Sequence, residues 1–201
     1  TQMPAARRFA LLEAARRTGA LLIEDDYDSE LRSTHPPLRA LDTEGRVAML
    51  GSFAKTLTPA LSLGYLIVPP SLRERVADLC LPVSGNVQDA MAHYMEAGGL
   101  RRHTARMRRE YRSRREAFVR LFPEGVPMEG GLHAIVPLRA GGDEQSVVAR
   151  CRARGLAVEG MAGYWSARRP HASGIVLGLG TGSLERLRER LAVLRSTVDE
   201  S

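Results

Sequence analysis

The chain has 201 residues, 44% hydrophobic and 26% charged, with a formal net charge of +6 and a sequence pI near 10.0. This composition builds one domain or two small ones; it excludes wholesale disorder, a collagen-like chain and, with two cysteines, a disulfide-stapled scaffold. No apolar run reaches the ~18 residues of a membrane helix, and the first twenty residues hold four arginines and no apolar stretch of the secretory kind; Cys80 and Cys151 are too few for a disulfide scaffold or a zinc site, so a reducing cytoplasm is the expected compartment.

In chain order, Met3 to Arg17 reads as a helix. Pro4 suits a first turn, Phe9, Leu12 and Ala15 recur at helical spacing, and Gly19 ends it. The apolar run Gly19-Ala20-Leu21-Leu22-Ile23 predicts a buried strand that runs into Glu24-Asp25-Asp26-Tyr27-Asp28. After a loop with His35, Pro36 and Pro37, Val47 to Leu50 predicts a second strand ending at Gly51-Ser52. Leu61 to Val68 predicts a third, closed by Pro69-Pro70. Helices are expected from Ser71 to Leu81, from Asn86 to Ala97 and from Leu100 to Phe122. On the last, His103, Met107, Tyr111, Phe118 and Phe122 form one stripe.

Phe122-Pro123-Glu124-Gly125-Val126-Pro127 reads as a boundary. Beyond it come a strand (Leu132–Leu138), a helix (Glu144–Arg154), a short strand (Leu156–Val158), a strand (Gly174–Leu177) and a helix (Ser183–Thr197). Residues 1–122 therefore read as α/β with a largely parallel sheet, and 123–201 as a small α+β domain.

Of the 29 lysines and arginines, Lys55 alone is a lysine. An arginine stays charged at any accessible pH, whereas a lysine can lose its proton and act as an amine nucleophile. Lys55 lies in Gly51-Ser52-Phe53-Ala54-Lys55-Thr56-Leu57, just past the second strand, where a desolvated lysine can form a Schiff base. A phosphate-binding P-loop is disfavoured: it needs glycine directly before the lysine, where Ala54 stands, and the spacing is one residue short. The first strand ends in carboxylates, and open α/β sheets bind ligands beyond the carboxyl ends of their strands. Asp25 and Tyr27 are two apart and point the same way if the strand continues. A pyridoxal phosphate site needs a lysine to hold the aldehyde and an acid facing the pyridine nitrogen, with a phenol near the ring oxygen. Asp25, Tyr27 and Lys55 supply those three groups on neighbouring strand ends.

Ile23-Glu-Asp-Asp-Tyr-Asp-Ser-Glu30, Leu50-Gly-Ser-Phe-Ala-Lys-Thr-Leu-Thr-Pro-Ala-Leu61 and Leu63-Gly-Tyr-Leu-Ile-Val-Pro-Pro70 resemble the aminotransferase-like domain of MocR-type regulators in the GntR superfamily. The run 99–115 and Gly130-Gly131-Leu132-His133 extend the resemblance over nearly the whole chain. The resemblance implies a fold-type-I aminotransferase-like α/β fold: residues 1–122 would be the C-terminal half of its large domain and 123–201 its small domain. It implies that Lys55 carries pyridoxal 5'-phosphate as an imine, that Asp25 meets the pyridine nitrogen and Tyr27 the ring hydroxyl, and that Ser52 helps hold the phosphate. It further implies an effector region of a transcription regulator with an amino acid or other small molecule as signal, a homodimer, and DNA bound through a winged helix-turn-helix that, like the first half of the large domain, is expected to lie outside this chain. Two arginines usual in the family, for the phosphate and for a substrate carboxylate, are Ser62 and Val176 here. A true class I/II aminotransferase, and a fragment that binds no cofactor, remain open as other readings.

Nine arginines between Arg101 and Arg120 suggest either a nucleic-acid face or, more simply, a solvated helix whose arginine stems cover apolar surface. Gly178-Leu-Gly-Thr-Gly-Ser183 reads as a strand-to-helix turn with Ser183 as N-cap rather than an anion seat. His35, His93, His103, His133 and His171 share no metal spacing. Tyr164 and Trp165 are expected to pack, and Cys80 and Cys151 to be buried small hydrophobes.

Overall fold

A computed structural model describes residues 3–26, 31, 36–79, 83–127, 132–139, 142–166 and 172–200. They pack as two compact units, Thr1–Met107 and Arg108–Ser201, and the division falls inside one long helix. Among the described residues no helix is long and apolar enough to cross a membrane.

The first unit begins with helix α1 (Ala5–Thr18), whose last turn carries Arg16 and Arg17 against the carbonyl end of the helix dipole. Gly19 ends it in the left-handed region at φ +71°, a conformation that costs glycine nothing. Strand β1 (Leu22–Asp26) follows, then a single turn α2 (Leu38–Leu41) and strand β2 (Val47–Ser52). β1 and β2 pair in parallel, with Leu22 opposite Val47 and Asp26 opposite Gly51. One turn of helix, α3 (Phe53–Thr56), leads through a tight 3-10 turn to β3 (Gly64–Ile67), which pairs antiparallel to β2. The three-stranded sheet is thus mixed, not largely parallel. The link from α3 to β3 is too short for the crossover that a parallel return requires.

The first strand also starts three residues later than its apolar run suggests, and it is not buried throughout: Ile23 is 66% exposed. The acids lie within the strand, not beyond it. Asp42 fixes where β2 begins by accepting backbone N–H groups from Glu44 (3.0 Å), Arg46 (2.7 Å) and Val47 (2.9 Å). Burial pushes the Asp42 carboxyl up, but those three donors and Arg39 outweigh it and hold the group below its ordinary value. Short α4 (Arg73–Ala77) and helix α5 (Gly85–Glu96) follow, and Ser71 does not cap α4 with its side chain. Phe53, Leu63 and Met91 are buried together, with Tyr65, Val87 and Leu100 against them.

Helix α6 (Gly99–Leu121) contributes residues to both units. In the second unit, strands β4 (Val126–Pro127), β5 (His133–Pro137), β6 (Glu159–Gly160) and β7 (Gly174–Gly178) form an antiparallel sheet in the order β4-β5-β7-β6. Ala134 and Val136 of β5 and Ile175 and Leu177 of β7 share its buried face. They pack with Phe118 and Phe122, with Val147 and Cys151 of α7 (Glu144–Ala153), and with Leu187, Leu191 and Leu194 of α8 (Leu184–Asp199). Phe118 and Phe122 stack at a centroid distance of 5.4 Å, so the aromatic end of the α6 stripe is core. The stretch Leu156–Val158 is not a strand; Leu156 and Val158 are buried and the short strand begins three residues later, at Glu159. Cys151 is a buried free thiol, and burial pushes its pKa up; Cys80 lies outside the described residues.

Arg114 sits in the polar gap of the α6 stripe, 6% exposed. Its Nε donates to Glu110 (2.8 Å), Nη1 to the Leu179 carbonyl (2.9 Å) and Nη2 to the Gly182 carbonyl (2.5 Å). The glycine-rich run before α8 is thereby a clamped turn, and the Ser183 hydroxyl accepts the Arg186 N–H at 3.2 Å as its N-cap. Tyr164 and Trp165, by contrast, are exposed. Tyr164 donates its hydroxyl to Glu159 at 2.7 Å, and that bond raises its pKa.

Candidate functional site at the strand ends

Side chains alternate across a strand, and residues paired across strands face the same way. The register therefore puts Ile23 and Asp25 of β1, Leu50 and Ser52 of β2, and Gly64 and Leu66 of β3 on one face of the first sheet. That face is open except at Ala48, which pairs with Ile23 and is 4% exposed: Asp25 is exposed, and Leu50 and Leu66 are 40% and 41% exposed. The opposite face carries Glu24, Asp26, Val47 and Met49. There Val47 and Met49 are buried, Asp26 is 6% exposed, and Glu24 accepts the N–H groups of Leu38 (2.6 Å) and Arg39 (2.9 Å) at the start of α2. Three consecutive acids thus do different jobs, and the pleat selects Asp25 for the open face.

Ser52 is the last residue of β2 and lies one side-chain repeat beyond the Asp25–Leu50 pair, roughly 7 Å along the strand. Its hydroxyl oxygen accepts the Ala54 N–H at 3.1 Å and so caps α3. The hydroxyl keeps its own proton to donate. Lys55 follows on that turn with an exposed side chain, between buried Phe53 and Thr56. The turn is tied down on both sides: Phe53 N–H donates to the Leu63 carbonyl at 3.1 Å, and Leu57 N–H to the Phe53 carbonyl at 2.8 Å. Ser62, in the following loop, is the one described non-glycine residue with positive φ, at +46°. Tyr27 lies outside the described residues. Val176 sits in the middle of β7, between Ile135 and Glu159.

Sequence reasoning missed two side chains that build this region. Glu24 anchors α2 from within β1, and alternation within the acidic run was the signal that could have separated it from Asp25. His103 reaches the Thr56 carbonyl from α6 at 2.8 Å; no local pattern links residues 47 apart.

No family model matches the chain. The HTH-type pyridoxine biosynthesis transcriptional regulator PdxR of Corynebacterium glutamicum is 39% identical over 208 residues, which cover 98% of this chain and 45% of that protein. The HTH-type transcriptional regulator TauR of Rhodobacter capsulatus is 35% identical over 170 residues, 78% of this chain and 35% of TauR. Among solved structures, the multiple substrate aminotransferase of Thermococcus profundus superposes with a TM-score of 0.78 at 30% identity, covering all of this chain and 53% of that one. The chain spans less than half the length of the two regulators. Its fold is that of the fold-type-I, pyridoxal-phosphate-dependent aminotransferases. Within that fold, the chain belongs with the MocR-type regulators of the GntR superfamily, as their aminotransferase-like region.

Proposed function

We propose that this chain is the pyridoxal phosphate-binding effector region of a MocR-type transcription regulator, with Lys55 as the amine that holds the cofactor. The observation that carries the reading is the arrangement at the strand ends: a solitary lysine on the turn after β2, with Asp25 and Ser52 on the same open sheet face. The donor set fits the group. An amine reachable from solvent suits an aldehyde, a carboxylate suits a basic ring nitrogen, and a capping hydroxyl with its proton to spare suits a phosphate oxygen. When bound, the cofactor would supply an electron-withdrawing ring. Asp25 would hold a proton at the ring nitrogen, Ser52 would donate to the phosphate, and Tyr27 would face the ring hydroxyl. Residues 1–122 would be the C-terminal half of the large domain and 123–201 the small domain. We place the protein in the cytoplasm as a homodimer that senses an amino acid or related amine and binds DNA through a separate domain.

An aminotransferase enzyme is the second reading, favoured by the likeness to the Thermococcus profundus enzyme. Against it stand Val176 and Ser62, where a guanidinium fork for a free carboxylate or a phosphate is wanted. The test is borohydride treatment with pyridoxal phosphate, read by peptide mass. A reduced pyridoxyl adduct on Lys55, absent in Lys55→Ala, is expected. An unaltered Lys55 peptide overturns the cofactor assignment, and stoichiometric release of a keto acid from an amino acid would move the reading to the enzyme.

A further inference from the structure

Lys55 stands on a single helical turn, and the last carbonyls of a helix have no partner within it. The Thr56 carbonyl, next in the chain to Lys55, takes its donor from α6: His103 Nε2 lies 2.8 Å from Thr56 O. The other ring nitrogen, Nδ1, lies 3.0 Å from an Arg106 guanidinium nitrogen. A guanidinium has donors only, so Nδ1 must present its lone pair and the ring proton must sit on Nε2. In this pairing the N–H on Nε2 points at Thr56. Arg106 donates to His103 and His103 donates to Thr56, in a relay that starts at an exposed side chain and ends on a residue 2% exposed.

We infer that His103 is a positioning residue for Lys55, and that Arg106 sets the tautomer that lets it act. Thr56 follows Lys55 directly, and its carbonyl lies one peptide unit beyond the Lys55–Thr56 bond, so holding that carbonyl restrains the short turn from which the lysine side chain reaches. The ligand-facing side of the turn is held by Ser52, through the Ala54 N–H; the relay holds the other end. This inference rests on Lys55 being the amine that takes the aldehyde, and its first test does not.

That first test is a long-range proton–nitrogen NMR spectrum of the protein without cofactor at pH 8, above the ordinary histidine range. His103 is expected to show the Nε2–H tautomer, and Arg106→Leu, at an exposed site, to shift it toward a mixture. An Nδ1–H ring in the wild type overturns the relay. The second test is the rate of borohydride-trapped labelling of Lys55 at subsaturating pyridoxal phosphate. His103→Leu should slow it by about tenfold, the scale of a small misplacement of a reacting group. His103→Gln, whose amide N–H can reach the same carbonyl, should restore most of the rate. Should His103→Leu fail to fold, Arg106→Leu carries the same comparison, with slower labelling expected. Equal rates in folded variants, or a glutamine no better than leucine, overturn the positioning role. A wild type that takes no label while keeping the expected tautomer removes the cofactor reading instead.

Discussion

Gly51 lies in β2 directly opposite Tyr65 of β3 and beside Asp26 of β1. A Cβ at this position would overlap the end of the Tyr65 ring. Its backbone is ordinary extended strand, so the requirement for glycine is steric and not conformational. In Gly51→Ala the ring must swing away, and its tilted contact with Phe53, at a centroid distance of 5.4 Å, is then lost. Overpacking of this kind costs about 1–3 kcal/mol, and an aromatic pair contributes about 0.5–1.5 kcal/mol beyond its buried area. A net loss of about 2 kcal/mol is expected, or about 4–8 °C in the melting temperature of a chain this size. Thermal unfolding followed by far-UV circular dichroism reads it. The control is the same change in a Tyr65→Ala background. With the ring gone, the atoms that the added methyl would overlap are gone too, and the loss of glycine's freedom in the unfolded chain makes alanine neutral or slightly stabilising. Coupling of more than about 1 kcal/mol between the two sites is therefore expected. An equal cost in both backgrounds would refute the steric argument.

Two further expectations concern the frame around the site. The Asp42 carboxyl is held below its ordinary value, so the stability it contributes is present above the unfolded aspartate value of about 3.9 and is lost as pH falls through the lower folded value. The gap in urea midpoint between wild type and Asp42→Asn should be widest at neutral pH and close in acid; a gap independent of pH would show that the carboxylate charge is irrelevant. Arg114→Met strips the guanidinium from the Leu179 and Gly182 carbonyls, at about 1–3 kcal/mol for the buried Leu179 acceptor left unpaired, while exposed Gly182 can turn to water. Amide exchange through residues 179–187 should accelerate, and unchanged protection there would deny Arg114 its clamping role.

Much of the fold was legible because its punctuation is local. Gly19 after α1 and Ser183 before α8 are end signals that need no tertiary context, and both stand where those helices stop and start. The turn that carries Lys55 stands directly after β2, where Gly51-Ser52 ends the predicted strand, and what singles out its lysine is chemical: one amine among so many guanidiniums. What failed depended on pairing. Leu21-Leu22-Ile23 looked like a continuously buried strand, yet the register with Val47–Gly51 turns Ile23 outward and draws the acids into the strand. The antiparallel return of β3 follows from a short link whose meaning is visible only once β2 has a partner. His103 was noticed as part of a helical stripe, but its ring reaches out of that stripe to a distant carbonyl, and helical periodicity carries no information about that.

The alternation along β1 has a consequence for how this surface can diversify. Cohesion and, on the function proposed above, recognition fall to adjacent residues that differ by a methylene: Glu24 secures a neighbouring turn from one side, while Asp25 looks out from the other. An exchange at position 25 would retune what the surface accepts and leave that anchorage standing. The same exchange one residue earlier would loosen the framework and leave the outward chemistry intact.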